Sequence, residues 1–425
     1  MAPLLRMTEN ATSTAGGRAV FTYPAFRNYE LARFLIVVSL EMQSVAVGWQ
    51  VYDITRQAFA LGVTGLVQFL PGVLLFLVAG HAADVVHRRR LLTTCYAGFA
   101  LCSTLLLALS IHGSPRVLLI YVVMTLVGVV RSFSAPVTRA ILPQLVPMEI
   151  FPSAVAWHSS VYQTASILGP AIGGLIYAAY RGPAAVYATA LVAAVIGGVV
   201  TLRIEMTDRP ASREPVTWNT VFAGLRYIWR EKVILGSISL DLVAVLLGGA
   251  VALLPIYARE ILRTGPWGLG ILRSAPGVGA AIMAIFLGYR PLRRRAGAAM
   301  LWCVAAFGVA TIIFGLSRSL TVSVLSLVML GATDMVSVVI RGTLVQVNTP
   351  DEMRGRVNAV DMVFIGASNE LGEFESGLTA QWLGVVPAVI IGGIGAIAAT
   401  ALWAWWFPAL RRADKLVETA PAKNP

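Results

Sequence analysis

Four ionisable residues stand inside long apolar stretches of this 425-residue sequence: Glu41, Arg131, Asp241 and Asp334. An ionisable group in such surroundings is costly, so each is a candidate for handling a proton or a charged solute. Burial favours the neutral carboxyl and a nearby arginine favours the carboxylate. A carboxylate that meets Arg131 in only one conformation would therefore take and release a proton in each cycle. A fixed ion pair of Glu41 or Asp334 with Arg131 is the plainer alternative, because buried pairs need not move. A second group, Glu370, Glu373 and Glu375, crowds a short segment near another apolar run. Three carboxylates there cannot all be buried and ionised together. Arg273 is expected at a similar depth and to pair with Glu373 or Glu375, as an outer gate or a second protonation site; a hydrated vestibule is the alternative. No convergent nucleophile, base and oxyanion donor, no metal-ligand cluster and no phosphate-cradling loop is present in the sequence. Catalysis, a metal, a cofactor and direct nucleotide drive are therefore not expected.

The segments carrying these residues must be membrane spans. Hydrophobic residues make up 57% of the chain and charged ones 13%, with a mean hydropathy of +0.76, too apolar for a water-facing surface. A helix crossing the hydrocarbon core needs about 20 mostly apolar residues. Such runs recur near 30–53, 59–85, 91–111, 116–138, 153–179 and 183–204, and again near 234–258, 267–289, 297–316, 320–346, 356–381 and 384–407. The expected fold is an all-α membrane protein of twelve transmembrane helices in two six-helix bundles, 23–204 and 233–408. Residues 1–22 read as a disordered tail and 409–425 as a second tail. The linker 205–232 carries Trp218, Phe222, Leu225 and Trp229 at helical spacing among basic residues, the pattern of a surface-lying amphipathic helix.

Most of the 33 lysines and arginines fall in loops on one side of this arrangement, including Arg88 to Arg90, Arg293 to Arg295, Arg354, Arg356, Arg411 and Arg412. Positive loops stay in the cytoplasm, so both termini are expected there. The net charge of +12 is thus an orientation signal, and the absence of a basic patch with interleaved aromatics argues against nucleic acid. Cys95, Cys102 and Cys303 lie in apolar runs without metal spacing and read as buried thiols. His158 reads as a packed histidine and Trp405 with Trp406 as an interfacial belt.

The halves repeat each other. Ser39-Leu40-Glu41 with Gly48 recurs as Ser239-Leu240-Asp241 with Gly248, and Gly128 with Arg131 recurs as Gly331 with Asp334. Leu168-Gly169 with Gly174 recurs as Leu371-Gly372 with Gly377. Matches in order at an offset of about 200 positions indicate a duplicated half, with the binding site expected between the two copies.

Against that frame of residues, the loop Gly80-His81-Ala82-Ala83-Asp84-Val85-Val86-His87-Arg88-Arg89 resembles the signature loop of the major facilitator superfamily. Val85 and His87 depart from the family's Arg and Gly at those places. The resemblance implies a cytoplasmic gate built from Gly80, Asp84, Arg88 and Arg89, with arginines latching carboxylates such as Asp351 or Glu352. Arg131 in span 4 resembles the family's proton-coupled members, with Ser134 and Ala135 as departures. Gly169-Pro170-Ala171-Ile172-Gly173-Gly174 resembles its antiporter motif, with Ala165 replacing an upstream Gly. Small residues there permit close helix approach. The stretch from Pro350 to Ala359, with Arg354-Gly355-Arg356, is similar to the drug and siderophore exporter branch, the transmembrane secretion effectors. Spans 1, 4, 7 and 10 line the cavity in that architecture. What the resemblance implies is a monomeric inner-membrane transporter that exports a small organic molecule by proton antiport and alternating access. A proton symporter importing a polar metabolite and a lipid-handling protein remain open alternatives.

Overall fold

A computed structural model of the chain describes residues 19–113, 116–205, 218–290 and 295–413. Every predicted span is filled by helix, and each helix takes the number of its span. Span 1 is Pro24–Thr55, span 2 is Ala58–Leu74 with Phe76–Val85, and span 3 is Arg88–Ile111. Spans 4, 5 and 6 are Val117–Leu145, Phe151–Tyr180 and Pro183–Leu202. Span 7 is Lys232–Leu247 with its short continuations to Ile261. Spans 8 to 12 are Gly265–Tyr289, Ala296–Leu316, Leu320–Val347, Asp351–Leu383 and Val385–Trp406. Among the described residues, nine helices are long and apolar enough to cross a membrane, and the two pieces of span 2 form a tenth, bent by 59°. Spans 5 and 11 have the length, at 30 and 33 residues, but a more polar composition, as expected for helices that carry polar groups inward.

Two breaks in helix geometry have identifiable causes. Span 2 bends at Leu75, in the turn that follows Pro71 and Gly72. Span 7, expected as one continuous helix, stops at Leu247 and continues as a 3-10 turn, Ala250–Leu253, and a π-turn, Tyr257–Ile261. Gly248 and Gly249 sit at the break, with the Phe307 ring and the Gly372 carbonyl where their Cβ atoms would be.

The backbone divides into two compact units. Unit 1 holds Met1–Val47 with Leu70–Pro215, and unit 2 holds Gly48–Phe69 with Val216–Pro425. One hairpin crosses over: the end of span 1 and the start of span 2 pack with the second unit. Residues 19–22, expected to belong to a disordered tail, form a turn with Val20 fully buried and Phe21 against Phe26 and Trp157. Apolar burial of these rings outweighs the polar character of the preceding segment; residues 1–18 lie outside the described residues.

The linker helix is present as Trp218–Arg230. Its Gly224 rests on the Arg356 carbonyl of span 11, and Ile228 is buried in a cluster with Ile234, Val357 and Val360. Phe222 and Trp229 of the predicted apolar stripe face outward. Residues 206–217 lie outside the described residues, as do 414–425.

Candidate functional site

In unit 1, the antiporter-like segment packs span 5 on span 1. A Cβ on Gly169 would touch the Glu41 Cβ and the Val38 carbonyl, at 2.5 and 3.2 Å. One on Gly173 would meet the Met42 backbone at 2.8 Å. Gly169, Pro170, Gly173 and Gly174 are all buried, so the small residues do bring two backbones together. Glu41 is half-buried over Gly169, and Arg131 is exposed.

Sequence reasoning missed a second polar group in this unit. Glu30, buried near the start of span 1, lies 2.7 Å from His158 Nδ1 and 3.5 Å from Arg33. Arg33 donates to the His158 carbonyl at 2.7 Å and lies over the Tyr162 ring. Tyr29 stacks on the imidazole and donates to the Thr138 carbonyl. The signal available was Glu30 and Arg33 at i, i+3 on one helix face.

Two of the gate-loop arginines donate to backbone carbonyls. Arg88 donates to the Ala140 carbonyl at 3.3 Å and Arg89 to the Ile204 carbonyl at 3.2 Å, both within unit 1. The Ile204 carbonyl lies just beyond the end of span 6, where unpaired backbone oxygens attract cations. Gly80 has open space around it. The side chains of Asp84 and Asp351, and Arg293 and Arg294, lie outside the described residues.

In unit 2, Asp241 of span 7 and Asp334 of span 10 line one cavity together with Cys303, Phe307, Thr333 and Ser337. The cavity has room for about one water molecule. Asp241 accepts a hydrogen bond from Ser337 at 3.1 Å. Two further residues join them that the sequence did not flag. Arg341 lies 3.4 Å from Asp241 and 2.9 Å from Asp361. Its Nε is buried and has no hydrogen-bond partner.

The expected pair of Arg273 with Glu373 or Glu375 is not formed. Glu375 accepts from Thr379 at 2.6 Å, and the Arg273 guanidinium lies beside Gly48. The reason is the hairpin of spans 1 and 2 packed into this unit. Gly65 faces the carboxylates of Glu373 and Glu370, with its Cβ position 3.0 and 3.3 Å from their oxygens, and Gly62 rests on the Phe374 backbone. Span 11 therefore presents its glutamates to span 2, not to span 8.

The ion pairs that hold this hairpin are others. Arg259, in the π-turn of span 7, lies 2.6 Å from Asp53 and its guanidinium sits over the Trp49 ring. Tyr52 donates to Glu260. Arg259→Asp is expected to loosen the hairpin, seen as faster amide hydrogen exchange across 48–69, and Asp53→Arg in the same chain is expected to restore protection. Equal exchange in the single variant and the wild type would rule out this role.

Two bundles of membrane helices with a duplicated layout agree with the family comparison. The model of the transmembrane secretion effector family matches residues 15–423. The chain belongs to that family. As a secretion effector of the major facilitator superfamily, it has curated relatives of nearly equal span. The enterobactin exporter of Shigella boydii serotype 18 is 28% identical over 385 residues, covering 88% of this chain and 86% of its own. The enterobactin exporter of Escherichia coli O81 gives the same figures. Among solved structures, a nucleoside transporter aligns at a TM-score of 0.67 and 14% identity, covering 91% of this chain and 98% of its own. A bacterial homologue of the iron transporter ferroportin, in an inward-facing state, aligns at 0.67 and 16% over the same shares. These structures share the fold. The secretion effector is thus a transporter embedded in a membrane by many helices.

Proposed function

We propose that this transporter exports a small organic molecule of siderophore-like type across the cytoplasmic membrane, in exchange for protons. The observation that carries the coupling is the carboxylate pair Asp241 and Asp334 beside a water-sized cavity in unit 2. Carboxyl groups inside a membrane bundle mark proton routes. Glu41 and Arg131 are their counterparts in unit 1. The direction of transport is supported by the family's secretion role and by relatives that export enterobactin.

In this reading the two halves alternate in access around a central site, with small residues of span 5 providing the sliding contact on span 1. The loop from Gly80 to Arg89 serves as the cytoplasmic gate. The hairpin Gly48–Phe69 with Arg259, Glu260 and the span 11 glutamates serves as the outer one. Both termini face the cytoplasm, one chain suffices, and no catalytic step or cofactor is involved.

The test compares metabolites inside and outside the native host with those of a clean deletion strain, with the gene restored as control. Accumulation inside the deletion strain is expected and would name the substrate class. Loss of uptake from the medium would overturn the direction.

A further inference from the structure

We propose that Arg341 and Asp361 complete a proton-exchange relay with Asp241 and Asp334, in which Arg341 is a movable counter-ion and Asp334 holds the proton. Its use in transport rests on the antiport reading above; the relay itself is argued from the cluster alone.

Charge comes first. Asp241 from span 7 and Asp361 from span 11 share one guanidinium, and Asp334 from span 10 lines the same small cavity as Asp241. Among the described residues no other cation pairs with them. Three ionised carboxylates against one arginine would leave two uncompensated negative charges inside a membrane bundle, which is costly enough to make that state transient and the protonated one the resting state. At rest one of the three must carry a proton. Asp334 is the candidate, because among the described residues it has no ion pair and no hydrogen bond, whereas Asp241 and Asp361 each face Arg341. It also lines the cavity, which has room for about one proton-carrying water.

The arginine is unevenly and incompletely bound. One terminal nitrogen reaches both carboxylates, closely to Asp361 and loosely to Asp241, while Nε is buried without a partner. A guanidinium fork can grip a carboxylate through two donors at once. Here it has a donor in reserve. Ser337, one turn before Arg341 on span 10, keeps a hydrogen bond on Asp241 whichever way the arginine leans.

The step balances as follows. On discharge, the O–H bond of Asp334 breaks and its proton passes to a cavity water. A second negative charge now stands beside Asp241, so Arg341 swings toward span 7 and its grip on Asp361 of span 11 loosens. On loading, a hydronium ion gives its proton to an Asp334 oxygen, water remains, and Arg341 returns to Asp361. Cys303, from span 9, is the other titratable side chain lining the cavity; its half-buried thiol stays neutral through the cycle. Arg341 and Asp361 are positioning residues, since neither takes the proton.

The relay is tested by infrared difference spectroscopy of the purified full-length protein in liposomes, titrated with pH in the absence of any substrate. Among the bands of its protonated carboxyl groups, the wild type should show one from the cavity carboxyl that disappears as pH rises. Asp334→Asn should remove that band. Asp361→Asn frees Arg341 for the cavity carboxylates, so the midpoint should move down by about one pH unit, a tenfold loss of proton affinity. Arg341→Gln should move it up, and Asp361→Glu should restore the wild-type midpoint. Size-exclusion profiles identify any variant that fails to fold, and Asp361→Glu then carries the comparison against Arg341→Gln. A band that survives Asp334→Asn, or a midpoint unmoved by Arg341→Gln, would overturn the relay. If the titration behaves as expected but export is indifferent to the pH gradient, the relay stands and the antiport reading falls.

Discussion

Gly331→Ala should prevent stable assembly of the second unit. Spans 8 and 10 meet there backbone to backbone. A Cβ on Gly331 would fall onto the carbonyl and Cα of Pro276, and one on Gly279 would fall onto the carbonyl of Val328 and the amide of Ala332. A flexible side chain would turn aside, but these are main-chain atoms in two rigid helices, so one helix must move. Inserting a methyl into a packed core typically costs about 1–3 kcal/mol, and displacement of a whole helix sits at the top of that range or above it. Gly288 on the same span 8 has nothing within 4 Å of its Cβ position. Gly288→Ala should therefore gain roughly 0.5–1 kcal/mol through the better helix propensity of alanine. Melting curves of the purified protein in one detergent give both signs. A Gly331→Ala protein that melts with the wild type would mean that the span 8 and span 10 contact is not tight.

The second large effect concerns coupling. Asp334→Asn and Glu41→Gln are each expected to leave expression intact and to remove gradient-driven transport. Both substitutions keep the size of the side chain and exchange one carboxylate oxygen for an amide NH2 that cannot ionise, so packing over Gly169 and around the cavity is preserved. A proton-binding site that cannot ionise contributes nothing to an exchange cycle. Transport of the compound found in the deletion comparison, driven by an imposed pH gradient in inverted vesicles, should fall by about tenfold or more, equivalent to at least 1.4 kcal/mol of lost coupling. Full coupling in both variants would sink the assignment of these carboxylates.

Much of the fold was legible because lipid imposes one rule on every span: a long apolar run closed on itself by helical hydrogen bonds. That rule located the apolar spans, whereas the repeat, which matched Asp241 to Glu41 and Asp334 to Arg131, did not say that the two aspartates share a cavity. The repeat also misled. At the same offset Arg341 aligns with Thr138 and Asp361 with His158, so neither had a charged counterpart to draw notice. Yet His158 and Asp361 both accept or share an ion pair in their own units, with Glu30 in one and Arg341 in the other. The duplicated place retained a polar role while its charge changed. The outer cluster was hidden for another reason. Arg259 and Glu260 lie just past the expected end of span 7 and read as loop charges, whereas the π-turn keeps them on the helix. Arg273 was placed correctly in its span, but depth along a helix says nothing about which way a side chain turns, and a whole hairpin stands between it and the span 11 glutamates.

That hairpin has a consequence for biosynthesis. Gly48–Phe69 leaves the ribosome early, but the surfaces it packs against, around Arg259 and Phe374, come much later. Phe374 follows Phe69 by about 300 residues, which at roughly 5–20 residues per second is a wait of about 15–60 s. During that interval Gly62 and Gly65 offer a notch with no occupant. The first half of the chain should therefore not complete its fold as an independent unit during synthesis, and the final closure belongs to the moment when span 11 arrives.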